Sequence, residues 1–468
     1  MTAPPAPGAT ALPTSRVLDV IVVGAGLAGL RAAHDLAAGP GGRAGDMDSG
    51  MGGGLDVLVL ERDGRAGGRV RTEHHGGFVL DLGAVLPYRA GDAPPGSVPG
   101  PVLPGPSRLA LVIGDRVHIG ADPEDCLRAC GLPEPPPAVL EALFQRIHVG
   151  PPAAYLPGRV RDAFAPYSTA YRRAGNGELV HALLTGTGPG LRVAYGVSAE
   201  AVDRSGGLVR VRCRDRDGTA VTLSARAAVV ATPGPATLAL LDGAAGTAAR
   251  SRAFLASLRY GPATVCALAF RARPRLPWAY AVTPDLSATM VLARDMGPGV
   301  GTVLQAYFMA HKAGPAAALS DAELCDRTQG LLRRLALGDR DRARNDGRDG
   351  GKGLGPVVAH AVARWPAAGT IVSPASYGTS GTWHPAVRRP LPGVFLAGDY
   401  AGVRGDCPLP YGMAAALASG REAAAGVRAY LAGPLPPPDP PTGPPPGPEP
   451  GPAPDHERSP GARHAPRP

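Results

Sequence analysis

The 468-residue chain is long enough for two or three domains, and its 44% apolar content is that of a globular protein. The net charge of +9 is carried by arginine, since only two of the 48 basic residues are lysine, Lys312 and Lys352, and the basic residues are scattered without interleaved aromatics, which argues against nucleic acid as a partner. No run reaches the roughly 18 apolar residues of a membrane span, no hydrophobic signal core stands in Met1 to Ser15, and the six cysteines match no zinc spacing. No metal and no transmembrane segment are expected, and a reduced, cytoplasmic location is; peripheral membrane contact stays open.

Residues 1–16 read as a disordered leader. Asp19 to Val23 is a short apolar run fit for a buried parallel strand, and it enters Gly24-Ala25-Gly26-Leu27-Ala28-Gly29. Leu30 to Ala38 holds good helix formers. A half-glycine insertion, 39–54, reads as a surface loop before a second apolar run, Asp56 to Leu60, that ends on Glu61. Strand, G-x-G-x-x-G turn, helix, strand and acid in this order form a dinucleotide-binding unit. Gly24 makes the tight turn, Gly26 lets a pyrophosphate approach the backbone, and Gly29 lets helix and strand pack. The N–H groups at the helix start, Leu27 and Ala28 included, face the phosphates. Glu61 is placed for ribose hydroxyls and would repel a 2′-phosphate. A second glycine cluster, Gly297 to Gly301, reads as accidental, with no strand expected before it and no helix after. Glu61-Arg62-Asp63-Gly64-Arg65-Ala66-Gly67-Gly68-Arg69-Val70-Arg71-Thr72 adds a second phosphate loop, with Arg62, Arg65 and Arg69 near Gly67 and Gly68.

Further on, 90–107 reads as a Pro/Gly-rich loop, Leu109 to Ile119 as strand-like, and Pro123 to Cys130 and Pro137 to Ile147 as helices. Gly175-Asn176-Gly177 opens another helix. Strands are expected over Leu191 to Asp203, Leu208 to Arg214, Ala220 to Ala225, Ala227 to Thr232, Ser257 to Phe270, Thr302 to His311 and Val357 to Pro366, with a helix over Asp321 to Leu337 capped by Ser320. Asp339 to Pro356 is charged and Gly-rich. Gly393 to Leu396 is a short strand running into Ala397-Gly398-Asp399-Tyr400, and Pro410-Tyr411-Gly412-Met413 begins a helix that runs past Ser419-Gly420. Residues 433–468 are a Pro-rich tail too poor in large apolar side chains to fold.

The pair Gly24–Gly29 and Glu61–Thr72, the A-x-x-V-V-A-T-P run at 227–233, the F-x-A-G-D strand at 395–399 and the Ser419-Gly420 helix together resemble the flavin-containing amine oxidase superfamily, with its monoamine oxidases, protoporphyrinogen oxidases and carotenoid or squalene-type desaturases. The resemblance implies an α/β fold: a Rossmann-like, glutathione reductase-type FAD-binding domain with an inserted α+β substrate domain. The cofactor domain is expected over 17–90, 171–250 and 386–432, and the substrate domain over 91–170 and 251–385. The implied cofactor is non-covalent FAD. Val197 falls where the family's chain touches adenine, Thr232 ends a cofactor-domain strand, Asp81-Leu82-Gly83 brings backbone near the isoalloxazine, and Gly398 and Asp399 reach the ribitol. Gly412 and Met413, at a helix start, face the flavin N1/C2 carbonyl.

Three features depart from the family's amine oxidases. The Ser257 to Phe270 strand lacks their lysine. Gly412 stands at one of their two aromatic cage positions, leaving Tyr411, Tyr377, Trp383 and Trp365 as candidate pocket residues. No cysteine suits covalent flavin; Cys407 reads as a packed thiol. The resulting expectation is an FAD-dependent enzyme that removes hydride from a C–H of a bulky hydrophobic small molecule, porphyrinogen- or isoprenoid-like, with oxygen or another acceptor regenerating FAD. Amine oxidation is the alternative, and a non-redox flavin or lipid-partner-binding protein the second alternative. No catalytic side chain can be named, because the flavin carries the chemistry.

Overall fold

The computed structural model describes residues 12–38, 54–84, 102–103, 108–114, 116–132, 134–164, 171–172, 174–185, 190–274, 276–336, 354–378, 385–402 and 412–433. Most of the expected leader, nearly all of the glycine-rich insertion, most of the loop at 90–107 and of the segment at 339–356, Trp383, Cys407, Tyr411 and the tail beyond Gly433 lie outside the described residues. Leu12, inside the stretch expected as leader, packs against the core.

β1 (Val17–Val23), α1 (Leu27–Ala37) and β2 (Val57–Glu61) open the chain, followed by the hairpin β3 (Thr72–His75) and β4 (Phe78–Asp81). Then come β5 (Val102–Leu103), β6 (Leu109–Ile113), β7 (Arg116–Gly120), α2 (Pro123–Ala129), α3 (Pro137–Gln145), β8 (Tyr171–Arg172) and α4 (Gly177–Thr185). β9 (Leu191–Tyr195), β10 (Ser198–Ser205), β11 (Leu208–Arg214) and β12 (Ala220–Val230) precede α5 (Gly234–Leu240) and α6 (Ala249–Ser257). β13 (Arg259–Phe270), β14 (Tyr280–Val282), β15 (Met290–Asp295) and β16 (Thr302–Met309) lead to α7 (Ala313–Ala317) and α8 (Asp321–Ala336). β17 (Val357–Ile371), α9 (Pro374–Tyr377), β18 (Val394–Leu396) and α10 (Gly412–Ala432) complete the described chain.

The first sheet runs β10-β11-β12-β1-β2-β9, with β18 also on β12. β12, β1, β2, β9 and β18 are parallel, and β10 and β11 form an antiparallel extension. Both faces of β1 and β2 are covered, which is why their sequences read as continuous apolar runs. Val20, Val22, Val57 and Val59 meet α1, α4 and α10 on one face; Ile21, Val23, Leu58 and Leu60 face the larger core. The second sheet, β17-β13-β16-β15-β14-β6-β7, is antiparallel except for β14 against β6. Its inner face joins the larger core, and α8 covers its outer face with Leu324, Leu331, Leu332 and Leu335. The Ser320–Glu323 pair caps α8 reciprocally, as its sequence led one to expect.

Several elements differ from their sequence reading. The strand expected over 191–203 breaks at Gly196, whose φ of +73° makes a turn. The two strands expected over 220–232 are one, because Arg226 stays in the strand and pairs with Asp19 at 3.1 Å. β17 passes Pro366: it is an edge strand, and the proline falls in a bulge opposite Gly261–Ala263. A strand, β15, does precede Gly297, and the cluster forms the β15–β16 turn. α5, α6, β14 and β15 were not legible, since they are short or carry too few apolar residues at regular spacing.

One buried polar cluster joins the β3–β4 hairpin to the second sheet. Asp81, at the end of β4, accepts from Thr72 Oγ1 at 2.5 Å and Asn176 N–H at 3.0 Å. Its other oxygen meets Arg294 of β15 at 3.1 Å, and its backbone carbonyl accepts from Gln305 Nε2 of β16. Asp81 and Arg294 are 4% and 2% exposed, so the charge of one is balanced chiefly by the other. Arg294→Met should therefore lower stability by about 3 kcal/mol or more, read as a drop in the urea midpoint; an unchanged midpoint would mean that the pair breaks even with a hydrophobic contact.

Candidate functional site: a cofactor cleft at the ends of the parallel strands

The site is built where β1, β2 and β12 end. Gly24 has φ +101°, and a Cβ there would lie 3.0 Å from Ala231 O; at Gly29 it would lie 2.0 Å from Gly24 O. Those two glycines are required by packing. At Gly26 a Cβ would meet nothing within 4 Å, so the turn faces open space in front of α1, whose N-cap has no side-chain partner. A phosphate fits against Gly26 and the first-turn N–H groups of Leu27 and Ala28 for that reason.

The second loop folds onto the first. Gly67 N–H donates to Ala25 O at 2.8 Å, and the Cβ direction of Gly68 (φ +54°) points at Gly26 Cα, 3.4 Å away. Glu61 is 7% exposed. Its Oε2 accepts from Ala25 N–H at 2.8 Å and its Oε1 from Asp63 N–H at 2.9 Å, which fixes the carboxylate beside the glycine turn. Val197 N–H donates to Glu61 O at 2.9 Å, bringing Val197 to the same rim. Arg62 points outward, its side chain 77% exposed. Arg65 braces its own loop, donating to Ala66 O, Val70 O and Gly68 O. Thr232 exchanges a hydrogen bond with Thr237 at 2.8 Å next to Gly24.

Arg69 carries the strongest contact. Its guanidinium forks onto both oxygens of Asp399 at 2.9 and 2.8 Å, donates to Ala368 O at 3.1 Å, and lies 5.8 Å over the Tyr260 ring. Asp399 Oδ2 also accepts from Thr370 Oγ1 at 2.8 Å and Thr370 N–H at 3.3 Å. Burial acts to raise the Asp399 carboxyl, but the Arg69 charge and these donors outweigh it and hold the group below the usual carboxylate range. Gly398 adopts φ +150° and donates its N–H to Ser419 Oγ at 2.9 Å, which ties this strand end to α10. Gly412 begins α10, and Met413 is buried against the α1 layer.

The candidate pocket residues divide. Trp365 donates Nε1–H to Leu82 O at 2.7 Å, on the turn after β4. Tyr377 is 1% exposed, with its hydroxyl on Tyr400 O at 3.1 Å and its ring edge-on to Phe254. Trp383 and Tyr411 lie outside the described residues. Lys312 donates to Thr283 O, Pro284 O and Ala288 O at 2.8–3.0 Å; burial brings its pKa down to about 8, so it remains an ammonium at neutral pH. The sequence reading missed Tyr260, Thr370 and the Ala25 N–H. None has a local signal, because each acts through a neighbour distant in sequence.

Residues 147–428 match the family described as flavin containing amine oxidoreductase, and residues 22–90 match an NAD(P)-binding Rossmann-like domain. The chain belongs to the flavin containing amine oxidoreductase family. Its fold is similar to cyclohexylamine oxidase from Brevibacterium oxydans, at TM-score 0.65 and 16% identity over 89% of this chain and 100% of that one. It is also similar to a protoporphyrinogen oxidase-like protein from Exiguobacterium sp., at TM-score 0.64 and 15% identity over 89% and 99%. An engineered putrescine oxidase aligns at TM-score 0.61 and 14% identity over 88% and 99%. In sequence, 75 residues are 35% identical to a possible lysine-specific histone demethylase 1 of Drosophila melanogaster, covering 16% of this chain and 7% of that protein. As a member of this family the chain is an FAD-dependent oxidoreductase. No described helix is long and apolar enough to cross a membrane.

Two outcomes follow for this flavoenzyme. Glu61→Ala should weaken FAD binding roughly ten- to a hundred-fold, the loss of about one charge-assisted hydrogen bond, measured by titrating apoprotein with FAD; unchanged affinity would remove Glu61 from the ribose. Asp399, with its folded pKa depressed, contributes stability above the ordinary carboxylate pKa of about 4, and that contribution is lost as pH falls through the folded value. In Arg69→Met the Thr370 donors remain but the largest influence opposing burial is gone, so the carboxyl titrates higher than in the parent, and the variant's deficit against the parent should shrink as pH drops from 7 towards about 4. A deficit independent of pH in thermal melts would show that the pair contributes by packing only.

Proposed function

We propose that this flavoprotein removes a hydride from carbon in a bulky hydrophobic small molecule, porphyrinogen- or isoprenoid-like, with oxygen or another acceptor completing the cycle. FAD, held non-covalently, supplies the hydride acceptor. Gly26, Leu27, Ala28, Gly67 and Gly68 hold its pyrophosphate, with Gly24 and Gly29 shaping the turn. Glu61 takes the adenosine ribose, and Arg62, Val197 and Thr232 sit towards the adenosine side. Asp399 Oδ1 accepts one donor, Arg69 Nη2, and keeps a lone pair for a ribitol hydroxyl. The start of α10, at Gly412 and Met413, would offer positive dipole charge to the pyrimidine edge of a bound flavin. The domain limits given above belong to the same reading.

The observation that carries the substrate class is the inner wall of the second sheet. Ala263, Val265, Ala267 and Ala269 of β13 face the core that also holds Leu80 and Leu82, next to the Asp81-Leu82-Gly83 turn. β13 has no lysine, and Lys312, the only lysine among the described residues, directs its ammonium at three carbonyls. An apolar wall can orient a hydrophobic substrate by shape, holding the reacting C–H about 3–3.5 Å from the accepting atom. These β13 residues present no cation or base with which to order a water or deprotonate an amine, and Arg294, on the same face of the sheet, is paired with Asp81. Trp365, fixed to Leu82 O, and Tyr377 border this wall. Trp383 and Tyr411, the other two candidates from the sequence, lie outside the described residues.

Amine oxidation is the second reading, favoured by the family match and by two of the structural neighbours being amine oxidases by name. Anaerobic mixing separates the two. Simple mono- and polyamines should leave the flavin absorbance unchanged, and a porphyrinogen, polyene or related lipid should bleach it. Rapid bleaching by a primary amine, retained in Lys312→Met, would overturn the hydrophobic reading and promote the amine one.

A further inference from the structure

We propose that Cys266 and Cys325 form a reversible intrachain disulfide that staples α8 to the middle of the second sheet. Their sulfurs lie 3.7 Å apart although the residues are 59 positions apart in sequence. A disulfide needs a further approach of about 1.7 Å, within reach of side-chain rotation plus a small helix shift. The other buried thiols are directed elsewhere: Cys126 Sγ lies on Leu109 O and His118 O, and Cys213 Sγ on Val221 O. Only this pair, among the described cysteines, has sulfur facing sulfur.

The two positions are unequal in the way a redox pair requires. Cys266 is fully buried on the outer face of β13, with Leu268 and Phe270 beside it. Cys325 is half-buried on α8, flanked by Leu324 on the same layer, and is reachable from solvent. The two thiols share a hydrogen bond in which either sulfur can donate; that contact acts to lower the Cys325 pKa against burial, Asp321 and Asp326, and together with burial it raises that of Cys266. The sulfur that an oxidant in solution meets first is that of Cys325.

The oxidant is hydrogen peroxide. Cys325 thiolate attacks one peroxide oxygen, the O–O bond breaks, and hydroxide leaves, giving a sulfenic acid at Cys325. The Cys266 proton passes to that hydroxide, and the Cys266 sulfur displaces the second hydroxide from the sulfenyl sulfur, which takes up a proton as water. Two thiols are oxidised to one disulfide and the peroxide is reduced to two waters. The odd residues of β13 face the apolar inner wall and the even ones face α8, so the bond forms on the side of the sheet away from that wall. It changes how firmly the outer layer is held without a contact to the cofactor cleft, and it stands whatever the enzyme's substrate is.

The test uses purified holoprotein treated with hydrogen peroxide, quenched with catalase, alkylated and mapped without reduction. The expected result is a linked pair of peptides containing Cys266 and Cys325, loss of two of the six titratable thiols, and restoration by dithiothreitol. The oxidised protein should melt higher by on the order of 5 °C, and Cys325→Ser should abolish both the link and the rise. If that variant fails to fold, the peptide map of the unaltered chain decides alone. Retention of all six thiols, or sulfinic acid at Cys325 with Cys266 still alkylatable, would overturn the proposal.

Discussion

The Arg69–Asp399 pair is the contact on which the rest of the site depends. Arg69 stands in the second phosphate loop and Asp399 follows β18, 330 residues later. Asp399 is almost without solvent, so its charge is tolerable only because a planar guanidinium meets both oxygens and Thr370 meets one of them again. The pair closes the chain on itself. β18 pairs with β12 at Ala228 to Val230, β12 pairs with β1, and the turn after β1 touches the Gly67 loop. Each contact sets the next at a distance that no local propensity controls.

The second sheet enters this ring at two points. Thr370 and Ala368, at the end of β17, reach the Arg69–Asp399 pair directly, and Asp81 reaches Arg294 and Gln305 on β15 and β16. Both contacts flank the turn formed by Leu82 and Gly83, where a Cβ on Gly83 would lie 1.8 Å from Arg69 O. Backbone approach there is as close as atoms allow, which explains a glycine after Asp81-Leu82. The Leu82–Gly83 turn is thus held between two ion pairs whose carboxylates are buried, Arg69–Asp399 and Asp81–Arg294. Those are costly to break and unforgiving of partial removal. The bulge at Gly261 is another close approach. A side chain there would run into Val149 O, so the bend after α3 can press against the sheet at that point.

Much of this protein was legible in its sequence where the physics is local. Val20, Val22 and Val57 alternate with Ile21 and Leu58 in runs that had to be buried on both faces. Gly24 and Gly29 had to be glycine for a tight turn and a close helix, and Ser320 read as the cap of a helix. The order of these signals along the chain was enough to reach the family, the cofactor and the parallel sheet. Other features needed the tertiary structure, because their causes lie far apart in sequence. Arg65 and Arg69 look alike in sequence, yet one braces its own loop and the other meets Asp399 across the fold. Lys312 carries no local sign of its partners, which are carbonyls of the β14–β15 connection. Cys266 and Cys325 carry no shared signal at all. A residue's type states which contacts it can make, but which of them it makes depends on where the rest of the chain brings its partners. Only packing decides that.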